Sequence, residues 1–317
     1  MPAYEELVRF KTKTILTGVM LVLVAHFLVP QPTDLPTVVD NVKDADWLWA
    51  APLVTASVIT YLGATLCLMG AVPNRLPTVP TFLAQFAASF TSKLAPAAVG
   101  GMALNVRYLQ KAGVPSAIAA TGIGLDALGG FVTHVILLAL FLVWAGRSAF
   151  GTFHLPNPEA LLAGAGVVLL LAIVVLAVPW VRHVLATKLV PILKRATHGV
   201  NVVLHSPTKL LLLLGGSTIV TVNYLTCLYF SVRAFGGDLR YAQVGAIYLA
   251  GAAVATAAPT PGGLGAIEAA LIGGLVAAGL DNTVAVPAVF LYRLGTFWLP
   301  ILPGWLSLAW LRRAKYV

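Results

Sequence analysis

Four ionisable residues stand in stretches otherwise almost free of charge: Lys93, Asp126, Glu268 and Arg293. In hydrocarbon each would cost about 2.5–3.5 kcal/mol on insertion scales, so each needs a partner or a function. Two are acids and two are bases, and the expected pairs are Asp126 with Arg293 and Lys93 with Glu268. Two readings follow. Such pairs lock parts of the fold together, or Lys93 and Arg293 attract an anionic headgroup while Asp126 and Glu268 balance them or carry a coupling proton. Arg107 and Lys111, further along the segment that follows Lys93, suit a phosphate at the membrane interface.

The second concentration of chemistry is APTPGGLGAIEAAL, Ala258 to Leu271. Pro259 and Pro261 end whatever helix precedes them. Gly262, Gly263 and Gly265 then leave backbone N–H groups open at the start of the next helix, where the donors and the dipole favour an anion. The alternative is that the glycines serve only a tight turn and close helix packing. Glu268 falls in that helix's first turns, where a carboxylate complements the dipole. Other chemistries find no support. GGLG has no GK[ST] after it and no strand before it, and no GxSxG elbow exists. The six histidines show no metal-ligand spacing, and Cys67 and Cys227 lie apart in apolar segments as packing residues. No catalytic group, metal or cofactor is expected.

The elements that must position these residues cross a membrane. Hydrophobic residues make up 59% of the 317 positions and charged ones 10%, against about 25% charged in soluble domains. Apolar runs recur at Thr14–Val29, Trp47–Val72, Ser116–Ala145, Ala160–Trp180, Leu210–Val232 and Thr283–Leu311, each near the ~20 residues a spanning helix needs. The fold class is therefore an all-α polytopic membrane protein, a single integral domain over 1–317 with about six spanning helices. The first run reads as an uncleaved helix, because Glu5 and Glu6 precede it and Pro30 and Pro32 follow it. The net charge of +9 resides in loops, as topology signals and contacts for anionic lipid rather than a nucleic-acid surface. Arg9, Lys11 and Lys13 precede the first span, the loop 181–209 is basic, and the tail ends Arg312-Arg313-Ala314-Lys315. These place both termini and that loop in the cytoplasm of a cell-membrane protein.

With both termini inside, the regions Pro80–Gly113 and Tyr241–Leu280 must each return to the side they enter from, as re-entrant hairpins broken by Pro and Gly or, the alternative the charge count equally permits, as pairs of tilted full spans. The arm Gln243–Ala258 supports the hairpins, since 16 residues reach only about 24 Å as a helix, short of the ~30 Å core. The order span, hairpin, span then occurs twice, at 47–145 and 210–311. An odd number of crossings separates the copies, which makes them an inverted repeat, the architecture of many transporters.

Three motifs give the chain a likeness: PTPGGLGAIEAAL at Pro259–Leu271, YRLGTFWLPILPG at Tyr292–Gly304 and VGGMALNVRYLQKAGVP at Val99–Pro115. Through them it resembles the lysylphosphatidylglycerol synthase transmembrane family, the flippase-like domain of multiple peptide resistance factors. The resemblance implies movement of a phospholipid, such as aminoacylated phosphatidylglycerol, between leaflets. It also implies a separate or fused soluble domain that modifies the lipid. The implied site is Pro259, Pro261, Gly262, Gly263, Gly265, Glu268 and Arg293, with Gly100, Gly101, Arg107 and Asp126; Lys93 joins it from the charge reading. The partners expected are membrane lipids with a phosphate headgroup, a second copy of the chain, and no nucleic acid. Two rival functions remain: a membrane-embedded transferase acting on a lipid headgroup, or its subunit, and a non-transporting scaffold for envelope or lipid synthesis.

Overall fold

The computed structural model describes residues 45–94, 99–146, 201–256 and 261–317. They are helical throughout, with no strand among them. The predicted spans Thr14–Val29 and Ala160–Trp180, most of the loop 181–209, the first hairpin's tip at 95–98 and Pro259 lie outside the described residues.

After a short 3₁₀ turn at Trp47–Trp49 come α1 (Ala50–Ala71), α2 (Thr78–Leu94), α3 (Val99–Lys111) and α4 (Ser116–Ala145). The second half contains α5 (Pro207–Ala234), α6 (Tyr241–Thr256), a 3₁₀ turn at Pro261–Gly263, α7 (Ala266–Ala277), α8 (Asn282–Arg293), a π turn at Leu294–Trp298 and α9 (Ile301–Arg313). Four stretches are long and apolar enough to cross a membrane: Trp47–Ala71, Ser116–Ala145, Pro207–Ala234 and Asn282–Arg313. They coincide with four of the six predicted spans. The remaining helices, α2, α3, α6 and α7, have 17, 13, 16 and 12 residues. At 1.5 Å per residue none exceeds about 26 Å.

Local sequence sets several boundaries. Ser206 caps α5 by accepting from the Lys209 N–H, and Pro207 opens its first turn where a missing N–H is harmless. Lys209, predicted in the basic loop, is thereby helical, and its ammonium donates to the carbonyls of Met69 in the last turn of α1 and of Asn74 just beyond it. In the last span the Leu299 N–H reaches back to the Leu294 carbonyl, an i to i−5 bond, and the next residue, Pro300, has no N–H to continue the series. The Gly295 carbonyl that Pro300 would have served instead accepts from buried Ser57 Oγ on α1 at 2.9 Å. A backbone irregularity in the membrane is thus satisfied by a neighbouring helix, as hydrocarbon requires.

The tightest seam is α1 against α5. Gly216 faces the Cys67 backbone and the Gly63 carbonyl, and a Cβ there would sit 2.6 Å from each. Small residues let the two backbones touch, the usual basis of helix association in lipid. Cys67 and Cys227 are both free and buried in helix packing, as their sequence context suggests.

Around this seam the halves exchange partners. The first hairpin's α2 packs on α9 of the second half, and the second hairpin's α6 packs on α4 of the first. One apolar cluster accordingly joins α2–α4 residues such as Ala84, Tyr108 and Ile123 to Leu311. A second joins Leu249, Leu271 and Leu275 to Phe141 and Ala145. The outward face of α4 exposes Leu128, Phe131, Val135, Ile136 and Leu140, a surface that suits hydrocarbon better than water.

Candidate functional site

The second hairpin turns through three glycines in the left-handed region, Gly262 (φ 61), Gly263 (φ 69) and Gly265 (φ 83), a conformation costly for other residues. Gly262 is needed twice over, because a Cβ there would also strike the Phe297 ring. From Gly265 the chain enters α7, and Glu268, third in that helix, bends back so that Oε2 accepts from the Gly265 N–H at 2.7 Å. The anion at this helix start is therefore the protein's own carboxylate.

Glu268 also meets the last span. Its Oε1 lies 2.6 Å from Arg293 Nε, off the N–H axis, so the contact is an ion pair rather than a directed hydrogen bond. Both residues are buried, at 2% and 6% exposure. Arg293 Nη2 donates to the Gly262 carbonyl at 3.2 Å, and its guanidinium carbon lies 4.3 Å from the centre of the Phe297 ring. Arg293 thus ties the last span to both ends of the hairpin tip. This replaces the expected pairs: Glu268 joins Arg293, not Lys93.

Lys93, near the end of α2, comes to the same aromatic ring from the first hairpin, with Nζ 5.1 Å from its centre. The ammonium is buried and has no hydrogen-bond partner. Among the described residues no carboxylate lies within salt-bridge distance of it. A cation–π contact supplies about 0.5–2 kcal/mol, less than burying an ammonium costs. Its charge is the least compensated in this region.

These groups border one cavity of about 720 Å³. Its walls come from both halves: α1 (Thr60, Tyr61), α2 (Gln85, Ser89, Ser92, Lys93), α3 (Gly101, Asn105), α4 (Asp126), α5 (Tyr224), α6 (Tyr248), the glycine tip (Gly262, Gly263) and the last span (Tyr292, Arg293, Phe297). Of the residues expected from sequence, Lys93, Gly101, Asp126, Gly262, Gly263 and Arg293 line it, and Glu268 and Gly265 stand directly behind as supports. Arg107 is exposed on α3 and apart from it. Gly100 and Gly101 lie inside α3 rather than in a break. A Cβ on Gly101 would collide with Ser92 Oγ and the Ala88 carbonyl, so that glycine serves close packing of the hairpin arms. Asp126 lies beside Cys67, on the α4 wall.

Sequence reasoning missed the aromatic and neutral polar lining. Phe297 carried a signal, since it follows Arg293 by four positions and so falls on the same face. Tyr224, Tyr248 and Tyr292 form a chain of rings with centres 6.4 and 6.1 Å apart. The Gln85–Asn105 pair joins two arms and needs the hairpin to be seen.

With that geometry established, residues 15–304 match the family described as "Lysylphosphatidylglycerol synthase TM region". The chain is also 36% identical over 76 residues to the UPF0104 membrane protein PH1989 of Pyrococcus horikoshii. That similarity spans 24% of this chain and 23% of the relative.

Proposed function

The chain belongs to the lysylphosphatidylglycerol synthase transmembrane family, and from that premise we propose that it moves a phospholipid between membrane leaflets, with the headgroup held in the cavity between its two hairpins. The observation that carries this reading is the buried, unpartnered Lys93 ammonium on the wall of a 720 Å³ cavity built by both halves. A lipid phosphate supplies the counter-charge that the described residues withhold. Arg293 adds a second cation already anchored by Glu268, so its position does not depend on the ligand.

The chain's topology is part of the proposal. Four arms too short to span, and partners exchanged between the halves, support an inverted repeat over 47–145 and 210–311. In it, one hairpin enters from the cytoplasm and the other from outside, with both termini cytoplasmic. Broken hairpins meeting at a shared polar cavity are what such a repeat provides for alternating access. Glu268 already balances Arg293 when the cavity is empty, which leaves the Lys93 charge for the phosphate to meet.

Reconstitution in liposomes with leaflet-labelled phospholipids tests the function. Wild-type protein is expected to speed exchange well above protein-free vesicles, and Lys93→Met to reduce that rate at least tenfold while the protein remains folded. Exchange at the protein-free rate for every headgroup and gradient, together with headgroup transfer catalysed by the same preparation, would replace the flippase by a transferase.

A further inference from the structure

Among the described residues Asp126 is the one acid on the cavity wall, where the cations are Lys93 and Arg293. Close approaches at Gly122, to Val72 and the Ala71 carbonyl, and at Gly129, to Leu213, hold α4 against α1 and α5 on either side of it. Its place therefore does not depend on the hairpins. No cation among the described residues lies within salt-bridge distance of its carboxyl. Its neighbour Cys67 is a weak donor that also donates to the Leu213 carbonyl at 3.1 Å, and Ser217 Oγ donates to the same carbonyl at 2.9 Å. The other titratable groups on the wall are Tyr61 of α1, Lys93 of α2, Tyr224 of α5, Tyr248 of α6, and Tyr292 and Arg293 of the last span, with none from α3. On α4 itself, His134 is about two turns away and bonded to the Leu249 carbonyl. An ionised carboxylate so placed is costly, whereas a protonated one is not. Glu268 differs, because Arg293 and the Gly265 N–H hold its two oxygens.

Resting on the lipid-carrying reading above, we propose that Asp126 is the binding site of a proton that travels with the lipid. The charges dictate the coupling. Glu268 and Arg293 cancel in every state. With the cavity empty, Lys93 and an ionised Asp126 sum to zero although they do not touch. A singly charged phosphate that takes Lys93 as its partner leaves the carboxylate as a second anion in the same low-dielectric space, and the two repel. A proton taken up by Asp126 from the side to which the cavity is open removes that repulsion and returns the sum to zero. On the far side the O–H bond breaks, and proton and lipid leave together. Loaded and empty protein thus both pass between their two open states without moving net charge through hydrocarbon. The result is symport of one proton with each lipid anion, driven by a pH difference and indifferent to voltage.

Full-length protein in phosphatidylcholine vesicles holding a few per cent of acyl-labelled phosphatidylglycerol provides the test. Leaflet distribution is read by quenching the outer label and compared with protein-free vesicles. At equal pH the wild type should even out the two leaflets. With the lumen one pH unit more alkaline, it should enrich the label in the inner leaflet about tenfold, the bias that one proton per lipid confers, and a lumenal pH dye should register proton entry as lipid moves. A potassium diffusion potential or a sodium gradient at equal pH should leave the distribution even. Asp126→Asn should bring the pH-driven ratio down to about one, and Asp126→Glu, which restores a carboxyl, should recover most of the enrichment. If Asp126→Asn fails to fold, lipid-linked proton entry in the wild type decides alone. Wild-type exchange without pH-driven enrichment, enrichment that survives in Asp126→Asn, or enrichment that follows voltage or sodium would each overturn the inference and leave the carrier reading intact. Exchange at the protein-free rate under every condition would instead remove the carrier reading, and the coupled proton with it.

Discussion

Arg293 and Glu268 form a pair whose members cannot be removed singly without exposing the other. Each is almost fully buried, and breaking such a pair by truncating one partner costs about 3–5 kcal/mol. Glu268→Gln and Arg293→Met are each expected to lower the apparent melting temperature in detergent markedly, whereas the double variant should recover much of the loss. Additive losses would show that the two side chains act independently. Lys93→Met should behave oppositely, leaving stability unchanged or improved while transport falls, because it removes a desolvated charge with no partner. At this scale the sequence made the four intramembrane charges conspicuous, and Glu268 was readable as an acid in the first turns of a helix. The pairing was not, because it depends on where the last span comes to rest against a hairpin tip some thirty residues earlier.

Among the elements, the short arms were legible from length alone, and α6 has the predicted number of residues although it begins at Tyr241 rather than Gln243. If the two hairpins enter from opposite faces, single cysteines placed at Pro96 and at Gly263 should react with impermeant reagents from opposite sides of sealed vesicles. Labelling of both from the same side would reject the inverted arrangement. The π turn was not legible, since Pro300 and Pro303 mark an irregularity without specifying which carbonyl it frees. The structure identifies that carbonyl as Gly295, with Ser57 as its donor. Ser57→Ala is accordingly expected to destabilise by about 1–3 kcal/mol, the cost of leaving a buried acceptor unmade, measurable as a lower unfolding midpoint. Ser57→Thr keeps the hydroxyl and should recover part of it.

For the whole molecule, the duplicated order of long and short segments could be read along the chain, whereas the exchange of partners between halves could not. It arises because α2 and α9, like α6 and α4, come together from different halves of the sequence. The cavity is a product of that exchange, which explains why its cations were visible as isolated oddities and its neutral wall was not. Ser92 and Gly263 both border the cavity, one from each hairpin. Cysteines at these positions joined by a flexible bifunctional reagent should arrest lipid exchange, and a reducible linker should allow it to resume. Continued exchange in the linked protein would mean that the hairpins need not separate.

The seam between α1 and α5 has a mechanical consequence. Where Gly216 lies against Cys67 and Gly63, and Gly70 against the Leu213 main chain, backbone meets backbone and even an added Cβ has no room, so a slide of one residue's rise, about 1.5 Å, would disrupt both contacts. A joint without slack cannot serve as a bearing. These two helices therefore form a fixed keel, and any motion that opens the cavity to one leaflet and then the other must be carried by the shorter segments hung on either side of it.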